Sequence, residues 1–310
     1  MAFTPRSAGR IRWPGDWLRN AAVTPRLWRA LNRPPATHPL FQRTVVLPAY
    51  SSAHYLSWAN LIISLILGLS RYAPTLLFLL MPFILLILGL TYGLDCALRV
   101  GSAIAREREN DTYGLLSLSP NGPLGAMWAL ATSAIYRNHD FMRLRGIVRA
   151  SLLTGLAAGI VVTGIALFVN ADIFNRFPQP PTPIYAGLLN FAAIVGALYV
   201  EYVQSVALGV LVGLLVSTYA RSRLDASMWV FGVYLLLQMM IYVLTMVVGF
   251  TALPLAAEAL AVRGDFALAG LSFARLGIFV LMREVVIALA WRGLQTRLNI
   301  TPAESTFINR

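Results

Sequence analysis

The sequence predicts an all-α polytopic membrane protein with six transmembrane helices. Of its 310 residues, 58% are apolar and only 12% are charged, a composition that is outside the range of ordinary soluble domains. The apolar residues form separate runs, and the longest reach the roughly 20 residues that a helix needs to cross a bilayer. We expect a basic N-terminal segment (1–52), a transmembrane domain (53–292) that includes a cytoplasmic loop (99–149), and a cytoplasmic tail (293–310).

The N-terminal segment contains eight arginines and no run long enough to span, which excludes a cleavable signal peptide. Trp17 and Trp28 alternate with arginines, and Thr24-Pro25 is typical of an N-cap followed by the first residue of a helix. Such a helix is suited to the lipid headgroup level, where its arginines meet anionic lipid. We expect an interfacial helix here, and a flexible basic tail is the alternative.

The predicted spans lie at about residues 53–69, 75–94, 150–169, 198–220, 226–249 and 268–291. The fourth belongs to an apolar run, 184–220, that is too long for one untilted crossing. Either residues 184–196 lie along the outer surface, which we favour, or the helix protrudes. Residues 251–263 are apolar but interrupted by Pro254, which suggests a re-entrant or interfacial segment.

The arginines determine the predicted orientation. With both termini in the cytoplasm, the cytoplasmic parts hold 20 of the 25 arginines and the outer loops hold three. This is a strong positive-inside bias. The formal charge of +12 is therefore explained by topology, and a nucleic-acid partner is not expected. A bacterial-type cytoplasmic membrane is the expected location.

A polar stretch, residues 104–120, follows the second span. Its four charges, Arg106 to Glu109, are expected to extend that helix beyond the membrane. Asn110, Asp111 or Thr112 would cap a second, short helix, which Pro120 ends. We interpret this unit as a surface on which a cytoplasmic partner docks. The alternative is a solvated helix end.

This stretch resembles the first cytoplasmic loop of type-2 ABC transporter permeases, which carries a pattern close to Glu-Arg-Glu-x-Gly-Thr-x-x-x-Leu-Leu-x-Thr-Pro. Asp111 stands where that family usually has glycine, and Ser119 replaces its threonine. The resemblance implies a permease that pairs with itself or a sister chain, with ATP and Mg²⁺ bound by separate ATPase subunits. It also implies re-entrant helices before the last span. The implied ATPase-docking residues are Arg106, Glu107, Arg108, Glu109, Thr112, Leu115, Leu116 and Pro120.

The chain contains no lysine, so it cannot form a standard P-loop, whose lysine contacts the nucleotide phosphates. Its single cysteine, Cys96, excludes an intramolecular disulfide and a cysteine-rich metal site. The three histidines are scattered, without the spacing of metal ligands. We therefore expect no enzymatic activity, cofactor or metal in this chain.

Charged residues inside predicted spans are costly and usually have a partner or line a path. Glu201 and Arg275 are both placed near the outer ends of spans, and we predict that they pair. Arg283 and Glu284 lie deeper, where they would line a substrate path or a subunit interface; the alternative is that they pair structurally or extend toward the membrane surface. Asp95 and Arg99, four residues apart on one helix, are predicted to pair structurally.

Two functions are consistent with these features. The first is the membrane permease subunit of an ABC-type exporter. The second is a non-transporting structural or scaffold subunit of a larger membrane complex. The sequence does not identify a transported substrate, and lipids, hydrophobic drugs and polymers all stay open.

Overall fold

The computed structural model describes residues 22–46, 74–110, 122–137, 182–259 and 265–299, with single positions between 141 and 161. These parts of the chain form helices and no strand, which confirms the all-α prediction for them. A π-helical turn, Val248–Ala252, connects α6 to α7. The α-helices are α1 (Thr24–Asn32), α2 (Pro39–Val46), α3 (Pro74–Glu109), α4 (Gly122–Tyr136), α5 (Thr182–Ser217), α6 (Arg223–Val247), α7 (Leu253–Ala259) and α8 (Asp265–Leu298).

Two helical stretches are long and apolar enough to cross a membrane, namely Leu189–Ser217 and Arg223–Ala259. The first is largely covered by the rest of the protein, whereas the second leaves most of its surface exposed. Predicted span 53–69 lies outside the described residues, and 150–169 is described only at single positions. The six-span arrangement therefore stays a prediction.

Helices α3 and α5 pack against each other through glycines. A Cβ atom on Gly209 would lie 2.1 Å from the carbonyl oxygen of Gly93, and one on Gly213 would lie 2.6 Å from that of Ala97. Neither position has room for a side chain, so the two backbones approach each other directly. Residue numbers rise together along both helices, which shows that α3 and α5 run in the same direction.

A pattern of small residues in the sequence indicates this packing. Small residues recur at every fourth position on both helices, as in interfaces between closely packed membrane helices. They are Gly89, Gly93, Ala97, Gly101 and Ala105 on α3, and Ser205, Gly209, Gly213 and Ser217 on α5.

Helix α8 runs parallel to α5, because Glu201 contacts Arg283 and Leu215 lies near Gly293 further along both helices. Helix α6 runs in the opposite direction. Its Tyr234 hydroxyl donates to the carbonyl of Leu90 in the middle of α3, while its first residues lie at the C-terminal end of α3. Helices α3, α5 and α8 contain predicted spans two, four and six, and α6 contains predicted span five. Consecutive spans are expected to run in opposite directions, as these helices do.

The structure corrects two predicted boundaries. Helix α5 is continuous from Thr182 to Ser217. The favoured prediction of a separate surface segment at 184–196 is therefore wrong, and the alternative of one long helix is correct. No proline follows Pro183 in this helix, and its central glycines are supported by contact with α3. The helix that begins at Arg223 also continues beyond residue 249, through the π turn into α7, so the break expected there is absent.

Helix α1 confirms the predicted helix around Trp28, but its apolar face does not need a lipid surface. Leu27 and Leu31 are buried against the bundle. The predicted N-cap is shifted by one residue, because Val23 occupies that position and no side chain within α1 caps the helix. Tertiary packing thus replaces the expected contact with lipid along this face.

The loop between predicted spans two and three contains the predicted helix at 124–136 as α4. Its residues from Leu124 to Ser133 are all buried, and it packs against α2 and α3. Residues 111–121, which include most of the predicted coupling helix, lie outside the described part of the chain.

Candidate functional site

A buried ion pair joins α8 to α5. Arg283 and Glu201 are each 1% exposed, and Nη2 of Arg283 lies 2.6 Å from Oε2 of Glu201. Ions in such a position are stable only when further hydrogen bonds satisfy both partners. The surrounding side chains provide most of these bonds, and Nε of Arg283 has no hydrogen-bond partner within the described residues.

Neutral polar groups complete the pair on both sides. Arg283 donates to Oγ of Ser205 at 2.8 Å and to Oε1 of Gln238 at 2.7 Å. Glu201 Oε1 accepts from the hydroxyls of Ser205 and Tyr242, each at 2.8 Å. We call these five residues the buried polar cluster. The cluster has no net charge, since its one cation and one carboxylate balance.

The cluster extends to a fourth helix and to aromatic rings. Gln238 Nε2 donates to the Tyr234 hydroxyl at 2.9 Å, which in turn donates to the Leu90 carbonyl of α3 at 3.2 Å. The Arg283 guanidinium lies 4.8 Å from the ring centroid of Phe279, a distance that allows a cation–π interaction. One connected set of polar contacts therefore links α3, α5, α6 and α8.

The predicted pairing of Glu201 with Arg275 is wrong. Arg275 Nε donates instead to the carbonyl oxygen of Gly249 at 3.0 Å, and its guanidinium lies 4.5 Å from the ring centroid of Phe250. Arg275 therefore interacts with the π turn, and Glu201 pairs two turns further along α8.

Pro254 explains why Arg275 is needed at the π turn. The N–H of Leu253 donates to the carbonyl of Val248, five residues earlier. In this register the carbonyl of Gly249 would next receive a hydrogen bond from residue 254, but proline has no N–H. Arg275 supplies the missing donor. A polar backbone group in an apolar helix is thereby satisfied by a side chain from a neighbouring helix.

Glu284 lies next to Arg283 on α8 but contacts a different part of the chain. Its Oε1 accepts hydrogen bonds from the backbone N–H groups of Val23 and of Thr24, the latter at 2.9 Å. These N–H groups begin α1 and have no partner within that helix. A carboxylate at a helix N-terminus is also favoured by the helix dipole. Glu284 thus caps a helix that lies about 260 residues earlier in the chain.

The charged end of α3 contacts the turn between α5 and α6. Arg108 Nη1 donates to the carbonyls of Ser217 and Thr218 at 3.0 and 2.7 Å. Glu109 Oε1 accepts from the N–H of Arg223 at 2.6 Å. A cation therefore meets the C-terminus of α5 and an anion the N-terminus of α6, the arrangement that both helix dipoles favour.

The remaining predicted docking residues are described only in part. Arg106 is exposed and Glu107 is half-buried. Thr112, Leu115, Leu116 and Pro120 lie outside the described residues. The predicted pair of Asp95 and Arg99 is confirmed, with 2.7 Å between Oδ2 and Nε.

Sequence reasoning found the charged members of the buried polar cluster but missed its neutral ones. The sequence pattern that could have revealed these neutral residues is their helical spacing within otherwise apolar runs. Ser205 follows Glu201 by four residues, and Tyr234, Gln238 and Tyr242 are four residues apart on α6. Each set shares one helix face.

The described part of the chain contains no group of three or more metal-ligating side chains.

Comparison with protein-family models, curated proteins and solved structures finds no match. The arrangement of the cluster suits the joining of helices.

Proposed function

We propose that this chain is the membrane-spanning permease subunit of an ABC-type exporter, driven by ATP hydrolysis on separate subunits. The observation that carries the proposal is the position of the charged end of α3. It has the residues that resemble the docking loop of type-2 permeases, and it contacts the turn between the two described helical stretches that are long and apolar enough to cross a membrane.

These contacts offer a mechanical route from a cytoplasmic partner to the bundle. Two kinds of charge-assisted hydrogen bond attach the end of α3 to its neighbours: Arg108 donates to the end of α5, and Glu109 accepts from the start of α6. A partner that displaces the segment following Glu109 would therefore move both helices. The buried polar cluster joins the same two helices to α8, so such a movement would reach the interior of the bundle.

The exposed surface of α6 supports a position within a bilayer. Large apolar side chains are exposed along its whole length, among them Met228, Trp229, Leu236, Met239 and Val243. A continuous apolar surface of this kind is unfavourable in water and marks contact with lipid or with another protein. The proposal places six spans in the membrane and both termini in the cytoplasm.

The proposed assembly contains two permease chains and two ATPase subunits. ATP and Mg²⁺ would be held by the ATPase subunits, since this sequence has no P-loop lysine. Closure of the ATPases would drive the bundle between inward-facing and outward-facing arrangements.

Purification of the tagged chain tests the proposal directly. A stoichiometric nucleotide-binding subunit should copurify with it from membranes. Arg106→Glu and Leu115→Asp should each abolish that association and the stimulated ATP hydrolysis, while membrane insertion stays normal. Reversal of Glu109 is a poorer test because that carboxylate also caps α6.

Arg292→Glu is the matched control, because Arg292 is also exposed near the end of a helix but lies outside the motif. It should retain the ATPase. Full association of both docking variants, or a purified complex without any nucleotide-binding subunit, would favour the scaffold function instead.

Topology is tested in a Cys96→Ser background. Cysteines at Asn175 and at Ser222 should react with an impermeant maleimide from opposite sides of the membrane. Reaction from the same side would contradict the six-span arrangement.

A further inference from the structure

Helix α1 is held at both ends by side chains from distant parts of the chain. Glu284 of α8 accepts from the first N–H groups of the helix. At the other end, the hydroxyl of Tyr136, from α4, donates to the Leu31 carbonyl at 2.8 Å. Both contacts satisfy backbone groups that a helix end leaves unpaired.

The apolar face of α1 covers a set of aromatic side chains. The Trp28 ring lies edge-on to Phe141 and Tyr202, with ring centroids 5.9 and 5.7 Å away. Tyr92 of α3 stacks on the same two rings at 6.4 Å. We call Tyr92, Phe141 and Tyr202 the aromatic face. Contacts of this geometry are favourable but separable, since each pair is worth only about 0.5–1.5 kcal/mol beyond burial.

Helix α1 is too short to be stable alone. It has nine residues, whereas isolated helices shorter than about 12–15 residues are marginal in water. Arg29 and Arg33 are exposed one turn apart and repel each other. Residues 22–46 contain no carboxylate to offset them. The helical state of α1 therefore depends on its contacts with the bundle.

We infer that α1 is a releasable strap over the aromatic face, and that Glu284 controls whether the strap is docked. Glu284 and Arg283 are consecutive on α8, so they point in directions about 100° apart around its axis. Arg283 contacts α5 and α6, while Glu284 contacts α1. Rotation of α8 that separates Arg283 from Glu201 also withdraws Glu284 from α1. The strap is thus coupled to the buried polar cluster, whether or not the chain transports a substrate.

The native cysteine reports on strap release. Cys96 is buried and lies one turn after Tyr92 on α3, within the same core as Leu27, Leu31 and Tyr202. Its rate of alkylation by a small maleimide is measured in the full chain in detergent, together with thermal unfolding followed by circular dichroism. Glu284→Ala removes the acceptor on α8. Trp28→Ala changes only the strap and leaves every side chain of the bundle intact.

Both variants should raise the alkylation rate of Cys96 by about tenfold, because a charge-assisted hydrogen bond, or the packing of the half-buried Trp28 indole on the aromatic face, stabilises the docked state by about that factor. The unfolding temperature of the bundle should stay within a few degrees of the parent. Glu284→Gln keeps one acceptor oxygen and should give an intermediate rate.

Glu258→Ala and Trp229→Ala are the matched controls, since both side chains are exposed on the α6–α7 stretch. They should leave the rate unchanged. The inference is overturned if Trp28→Ala alkylates at the parent rate, or if its rate rises only together with cooperative loss of the whole bundle. If Glu284→Ala fails to fold, the alkylation rate of Trp28→Ala alone decides whether the inference stands.

Discussion

Removal of Arg283 should strongly destabilise the bundle, and most of the loss should come from the charge that it leaves behind. Arg283→Met preserves much of the side-chain volume but leaves the Glu201 carboxylate buried with only two hydroxyl donors, from Ser205 and Tyr242. Breaking a buried pair by removing one partner costs roughly 3–5 kcal/mol. We expect about 3 kcal/mol here, because the two hydroxyls still solvate the carboxylate.

Glu201→Gln leaves the complementary charge unpaired. The guanidinium keeps its bonds to Ser205 and Gln238 and gains the new amide oxygen, so a cost of about 3 kcal/mol is again expected. In the double variant Glu201→Gln with Arg283→Met, no ion is buried. Its cost should therefore fall below the sum of the single costs by about 2–3 kcal/mol, within the range measured for residues in contact.

Equilibrium unfolding of the four chains in mild detergent, by added dodecyl sulfate and followed by helical circular dichroism, measures these free energies. A second cycle serves as the control. It combines Glu201→Gln with a substitution of Arg275, whose guanidinium contacts the π turn and not Glu201. Glu201→Gln and Arg275→Met should be additive within about 0.5 kcal/mol. Additivity in the Glu201–Arg283 cycle, or strong coupling in the Arg275 cycle, would refute the assigned pairing.

Four further substitutions test the helix contacts, the first three by the same unfolding measurement and the last by hydrogen exchange. Gly209→Ala places a Cβ 2.1 Å from the Gly93 carbonyl and should cost about 1–3 kcal/mol, whereas Gly277→Ala, whose site is open, should be stabilising by up to about 1 kcal/mol. Arg108→Ala should cost about 0.5–2 kcal/mol by leaving two helix-end carbonyls without their donor. Pro254→Ala restores a backbone donor at the π turn, and hydrogen exchange there should slow; unchanged exchange would contradict the role given to proline.

The apolar runs predict where most of the described helices lie. Helices α3 and α4 begin and end close to their expected bounds, and α6 and α8 begin within three residues of theirs, because helix formation in apolar runs depends on local hydrogen bonding and on residues such as Pro74 and Ser222. The Asp95–Arg99 pair was predictable for the same reason. Residues four apart on one helix meet whatever surrounds them.

Helix continuity was harder to predict. The sequence indicates a break near Pro254, yet the backbone stays helical from Arg223 to Ala259. The π turn accommodates Pro254 without ending the helix, and Arg275 donates a hydrogen bond to the Gly249 carbonyl that the proline leaves without a backbone donor. That compensation comes from another helix, so residues near the proline do not reveal it.

The sequence by itself determined the helical class, the positions of the charged groups and the concentration of arginine that predicts orientation. Only the tertiary structure decided which groups meet. Arg275 and Arg283 are about two turns, or 12 Å, apart on α8, so the choice of partner for Glu201 depends on how far α8 is shifted along α5. The contact of Glu284 with α1 depends in the same way on the rotation of α8. Such shifts and rotations are set by close packing of side chains and glycines across helices, and no local pattern in one helix contains that information.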